Sequence, residues 1–113
     1  MIFQVQLTEQ AEKDLRGIYE YIAFRLLSPI NAEKQLSRIE AGILSLKDLP
    51  ERCPRFPKEP WFGMGLRRMI VDHYVVLYLV DTEREQVMIV RVLYGSRNIE
   101  ELLKEHLEED PVN

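Results

Sequence analysis

Leu66 to Tyr94 reads LRRMIVDHYVVLYLVDTEREQVMIVRVLY, three apolar runs separated by two polar breaks. Leu66 to Val71, Tyr74 to Val80 and Gln86 to Tyr94 are rich in valine, isoleucine, leucine and tyrosine, residues that suit a pleated, half-buried surface. Asp72 and His73 leave a tight two-residue connection and Asp81 to Glu85 a looser one, so successive strands reverse and form an antiparallel meander. The middle run is apolar on both faces, which predicts a sheet covered on both sides.

Toward the N-terminus, residues 2 to 7 alternate from Phe3 onward and predict a further strand. Thr8 is placed to cap a helix, with Glu9 and Glu12 near the positive end of its dipole. Ala11, Leu15, Ile18, Ile22 and Leu26 then recur at helical spacing, predicting a buried stripe and a helix to about Leu27. Ser28 and Pro29 supply a cap and a first helical residue for a second helix. Its stripe is Ala32, Leu36, Ile39, Ile43 and Leu46, and Pro50 stops it. So short a connection folds the two helices into a hairpin. Four of the six prolines, with Gly63 and Gly65, fall in residues 50 to 65, which read as an irregular loop. Within it Trp61 and Phe62 read as a plug over the core rather than an exposed anchor for a partner.

Beyond the meander, Asn98 is placed to cap a last helix, with Glu101 completing a capping box and Ile99, Leu102, Leu103 and Leu107 on its apolar side. The predicted fold class is α+β, a two-layer sandwich of order β-α-α-β-β-β-α with a helical hairpin on a four-stranded, mostly antiparallel sheet. Residues 1 to 107 are expected to form one domain, and 108 to 113 a frayed acidic tail. The sheet face away from the hairpin is left for the last helix, a partner or a substrate.

With 46% hydrophobic and 30% charged residues, the chain has enough apolar side chain for one core and is not disordered along most of its length. The start MIFQVQLTEQ has no basic, apolar leader pattern, and Tyr74 to Val80 is too short to span a bilayer, so a cytoplasmic protein without a membrane partner is expected. Cys53 is the only cysteine, excluding an intramolecular disulfide and a cysteine-based zinc cluster. Two histidines without metal-ligand spacing, no phosphate-cradling glycine loop and no serine nucleophile elbow leave no expected metal or cofactor.

Net charge is -4, unevenly spread: residues 52 to 68 carry five basic residues against Glu59, a net +4, and residues 99 to 113 one basic against six acidic, a net -5. General nucleic-acid binding is disfavoured by that balance, while a local phosphate site is not. The candidate functional surface comprises Arg67 and Arg68 on the first strand of the meander, His73 in its turn, and Arg91, Tyr94 and Arg97 on or after its last strand. Guanidinium groups bind phosphate or carboxylate bidentately, and a tyrosine stacks on a base or moves a proton. Arg91, Tyr94 and Arg97 are expected to lie close together. Alternation puts Arg67 and Arg68 on opposite faces, so only one of them faces a given site.

Gly65-Leu66-Arg67, Tyr74 to Tyr78 and VRVLYGSRN from Val90 to Asn98 resemble the pattern of RelE/ParE superfamily toxins, as do LTEQAEKDL at the start and Leu49-Pro50 after the second helix. The resemblance covers residues 3 to 98. It implies a toxin neutralised by a cognate ParD- or RelB-like antitoxin whose flexible segment wraps it. It also implies one of two targets, DNA gyrase for a ParE-like poison or ribosome-bound messenger RNA for a RelE-like ribonuclease. Only the second is an enzyme, and Arg91, Tyr94 and Arg97 would then be its catalytic residues. The ribonuclease pattern has basic residues at two alternate positions of the strand, of which this chain keeps Arg68 and has Leu66 at the other; it has an arginine and a tyrosine where this chain has Val75 and Leu103, while Arg97 matches its final arginine. The ParE-like pattern is closer, with Gly65, Arg67, Tyr74, Tyr78, Arg91, Gly95 and Arg97 in place. Tyr94 stands for its usual histidine and Asn98 for its usual aspartate. A domain that binds an antitoxin without being toxic is the remaining alternative.

Overall fold

The structure, a computed structural model, describes residues 2–95 and 97–109. In chain order it comprises β1 (Gln4–Leu7), α1 (Glu9–Glu20), a π-helical turn (Tyr21–Arg25), α2 (Pro29–Ser45) and a 3-10 turn (Pro50–Arg52). There follow α3 (Trp61–Met64), β2 (Arg67–Val71), β3 (Tyr74–Asp81), β4 (Gln86–Tyr94) and α4 (Ile99–Glu109). The expected α+β sandwich is present. Side chains expected at His106 and Leu107, and the tail at 110–113, lie outside the described residues.

The sheet has the order β1-β4-β3-β2. The meander is antiparallel throughout, while β1 runs parallel to β4, with Gln4 opposite Gln86 and Leu7 opposite Ile89. A bulge between Leu77 and Tyr78 leaves Val90 without a partner, since Tyr78 pairs with Ile89 and Leu77 with Arg91. Where β1 ends, Thr8 takes over its edge. Its N–H donates to the Ile89 carbonyl at 3.0 Å and its hydroxyl to the Val90 carbonyl at 2.9 Å. The same hydroxyl accepts from Ala11 N–H at 3.0 Å, the cap that starts α1.

Each sheet face has its own apolar cluster. On the hairpin side Ala11, Ile39, Ile43 and Leu46 pack on Tyr74, Val76, Tyr78, Val87, Ile89 and Val92. On the other, Phe56 and Trp61 of the proline-rich loop join Leu66, Val75, Leu77, Leu93 and Leu103. Loop and α4 together therefore cover the face that the hairpin leaves. Trp61 is the expected plug, buried edge-on against Phe56, whereas Phe62 is exposed with the Arg55 guanidinium 5.5 Å from its ring centre. Gly65 ends α3 at φ +84°, a left-handed conformation that glycine adopts without steric penalty.

Three local expectations are corrected. α1 does not continue to Leu27: Leu26 N–H donates to the Tyr21 carbonyl five residues back, a π turn. One extra residue rotates the downstream chain by about 100°, so Ala23 turns into the core and Leu26 turns out of it. Ser28 does not cap α2 through its side chain; its hydroxyl accepts from the Asn31 side-chain amide at 2.7 Å. α2 ends at Ser45 rather than at Pro50, and Arg52 reaches back to its C-terminal end, donating to the carbonyls of Ser45 and Asp48 and to the Ser45 hydroxyl.

Candidate functional site

The site is built where β3 begins and β4 ends. Tyr74 and Tyr94 pair across the two strands with ring centres 5.5 Å apart at 71°, and His73 lies 6.3 Å from Tyr94, centre to centre. Gly95 N–H closes the corner onto the His73 carbonyl at 2.8 Å, and a Cβ at Gly95 would sit 3.2 Å from that oxygen. A side chain there would press on the turn. Above it the hairpin does not reach the sheet, and a groove of about 1190 Å³ opens. Gly17, Ile18, Tyr21 and Ile22 form one wall; Leu26, Asn31, Lys34 and Arg38 form another; Tyr74, Val92, Leu93, Tyr94 and Arg97 form the floor and end.

Arg91 is not an open cation. Its Nε and Nη2 bind both carboxylate oxygens of Asp14 at 2.8 and 3.0 Å, and one of those oxygens also accepts the backbone N–H of Val92 at 2.9 Å. Both side chains are about nine-tenths buried. Asp14 thus stands in for a missing strand partner along the edge of β4 while satisfying a buried guanidinium, an arrangement that holds α1 to the sheet. The sequence carries a signal for it. Asp14 is three residues after Ala11 and four before Ile18, inside the apolar stripe of α1, where a carboxylate requires a buried partner.

Arg67 is also consumed by the fold. It donates to the carbonyls of Glu51 and Cys53 at 3.1 and 2.6 Å, with the Glu51 carboxylate 3.7 Å away. The rest of the basic segment behaves similarly: Arg52 caps α2, Arg55 stacks on Phe62 and Lys58 lies 3.8 Å from Glu100. Arg68 is half-buried on the face opposite Arg67, and its N–H donates to the Pro54 carbonyl. Arg67 pairs with Tyr78, four residues along β3 from Tyr74 and so about 13 Å from the corner. Of the six residues proposed from the sequence, Tyr94 and Arg97 line the groove, with the His73 ring 6.3 Å from that of Tyr94; Arg67, Arg68 and Arg91 do not line it.

Sequence reading did not bring the hairpin into the site, yet Tyr21, Lys34 and Arg38 line it. Arg38 binds Asp72 at 2.7 Å, and Gln35 donates to the same oxygen at 2.8 Å, tying α2 to the β2–β3 turn. The Arg38 hydrogen bond, followed by that of Gln35, holds the Asp72 carboxyl below the usual range. Burial pushes the Tyr74 phenol up, with Tyr94 and Tyr21 adding to it, so Tyr74 stays protonated at neutral pH. The groove therefore offers cations, phenols and apolar side chains, which is equipment for binding. Among the described residues no three histidine, cysteine, aspartate or glutamate side chains are placed to hold a metal ion, and no helix is long and apolar enough to cross a membrane.

Solved toxins share this architecture. The chromosomal ParDE system from P. aeruginosa aligns with a TM-score of 0.67 at 21% identity, over 82% of this chain and 96% of that one. The RelBE2 toxin-antitoxin complex from Mycobacterium tuberculosis gives 0.63 at 21%, over 86% and 95%. A free E. coli RelE toxin with two arginines replaced by alanine gives 0.65 at 13%, over 98% and 100%. The fold is that of the RelE/ParE superfamily of toxins. No curated protein matches the sequence. Residues 5–99 match the ParE toxin of type II toxin-antitoxin systems, parDE, and the chain belongs to that family.

Proposed function

We propose that this toxin is a ParE-like inhibitor of DNA gyrase, held inactive by a ParD- or RelB-like antitoxin. One observation carries the choice of target. Leu66, Val75 and Leu103, which occupy positions where RelE-like ribonucleases place catalytic groups, pack together in the apolar cluster between the sheet, the proline-rich loop and α4. Cleavage by a 2'-hydroxyl needs a base, an acid and cations around the phosphorane, and that face supplies aliphatic carbon. The resemblance to ParE-like toxins at Gly65, Tyr74, Tyr78, Gly95 and Arg97 supports the same reading. In vivo the protein is expected to act in the cytoplasm.

Purified toxin should inhibit gyrase supercoiling and trap cleaved DNA. Intact gyrase activity together with messenger RNA cut on the ribosome would replace this reading with the ribonuclease, for which exposed Tyr94 beside Arg97 is the supporting observation. Unimpaired growth on induced expression, with antitoxin binding retained, would support a non-toxic binding domain.

A further inference from the structure

We propose that the bend between α1 and α2 is a self-association surface, on which a second copy of this chain packs as a twofold dimer. A dimer there does not depend on whether gyrase or messenger RNA is the target. Tyr21, Phe24, Leu26, Leu27 and Ile30 fall within ten consecutive residues and are 53 to 82% exposed. In a chain that is 30% charged, residues 21 to 30 hold one charge, Arg25. A contiguous apolar surface so poor in charge marks a place that a protein partner covers.

At Leu27 the exposure is built into the backbone. Its φ is +53°, the left-handed conformation that glycine usually supplies just after a helix end. Ser28 N–H donates to the Ile22 carbonyl at 3.1 Å and closes the bend. Leucine is strained in that conformation and, at 82% exposure, its side chain gains little packing within its own chain. The π turn acts in the same sense by turning Leu26 out of the core.

Area and charge identify the occupant. At about 150–220 Å² for a fully exposed apolar or aromatic residue, these five present roughly 500–600 Å² per copy. Buried on both copies, that is roughly 1,000–1,200 Å², the lower end of a specific interface and enough for a dimer of micromolar strength. Among the described residues no carboxylate pairs with Arg25, while Glu20 and Glu33 are exposed just beyond the two ends of the bend. A twofold contact uses the same patch twice, so a rim bearing both signs complements itself and offers each Arg25 a carboxylate of the other copy. Tyr21 and Leu26 also line the groove, so pairing covers part of that lining.

The test is sedimentation velocity on the purified full chain from about 1 to 200 µM. Wild type should pass from monomer to dimer across that range. Leu27→Asn and Phe24→Ser should each weaken the dimer about fivefold or more. Asparagine accepts the left-handed backbone, so the dilute Leu27→Asn monomer should keep or raise its Tm, which separates lost pairing from lost folding. Leu44→Ser, at a position 61% exposed on α2 away from the bend, should leave the dimer unchanged. A wild type still monomeric at the highest concentration, a dimer indifferent to both bend variants, or equal weakening by Leu44→Ser overturns the proposal. Two other occupants have their own signatures. Wild type that stays monomeric yet binds phosphatidylcholine vesicles, with binding lost in Leu27→Asn, would assign the bend to a lipid surface. Monomeric wild type whose growth arrest is lost in the same variant would assign it to the toxin's target. Either result overturns the dimer.

Discussion

The two faces of the sheet start from similar material and end differently. Both present valines beside larger apolar side chains, tyrosine and isoleucine on the hairpin side and leucine on the other, and both are covered at least in part by helix. The loop-and-α4 face closes over Val75, Leu77 and Leu93, whereas the hairpin face stays open at one end, where a groove lies over Tyr74 and the last residues of β4. In this fold a site is made by incomplete coverage at one end of a face. Cations gathered elsewhere become fasteners: Arg52, Arg67 and Arg91 all point at carbonyls or carboxylates of the chain itself.

The sharpest way to break the contrast is Asp14→Ala. It strands buried Arg91 and the Val92 N–H, and should cost about 3–5 kcal/mol in urea unfolding. A cost below about 1 kcal/mol would return Arg91 to the open surface. Val75→Arg puts a cation where the ribonuclease pattern wants one, and should lower stability by about 3 kcal/mol because the closed face has no water or counter-ion for it. If it is tolerated, that face is not closed.

Tyr78→Phe removes the 2.7 Å hydrogen bond to the Pro50 carbonyl and should cost about 1–2 kcal/mol. Burial, then contact with Cys53, raises the Tyr78 phenol well above its ordinary value. Its stabilisation is therefore complete below about pH 10 and lost as pH rises beyond it, so wild type should weaken in alkali where the phenylalanine variant has lost this source of pH dependence. Arg97→Ala should leave stability within about 0.5 kcal/mol yet abolish growth arrest, separating the open region from the fasteners. Smallest of all is Asp72→Asn. Because the Asp72 carboxyl is depressed in the folded state, its contribution is present above the ordinary carboxylate range and fades as pH falls through the folded value, so variant and wild type should converge in acid.

Local chemistry made much of this legible. The Thr8 cap, the Asn98 cap with Glu101 N–H on its side chain, and the three strands of the meander follow from turn residues and alternation, signals contained within a few positions. The Asp14–Arg91 pair spans 77 residues and was visible only as a carboxylate out of place in an apolar stripe. Neither the π turn nor the bulge at Val90 has a composition mark, because each adds one residue to an otherwise regular ladder. The groove inherits that difficulty: one wall comes from α2, whose residues meet Tyr94 and Arg97 only after the sheet has formed.

The pairing of β1 with β4, and of Asp14 with Arg91, joins the earliest strand to the latest. During translation the hairpin emerges from the ribosome long before its counterpart residues, with no edge to dock on and no floor beneath its tip. The groove is consequently complete only once Val92 to Arg97 have cleared the exit tunnel.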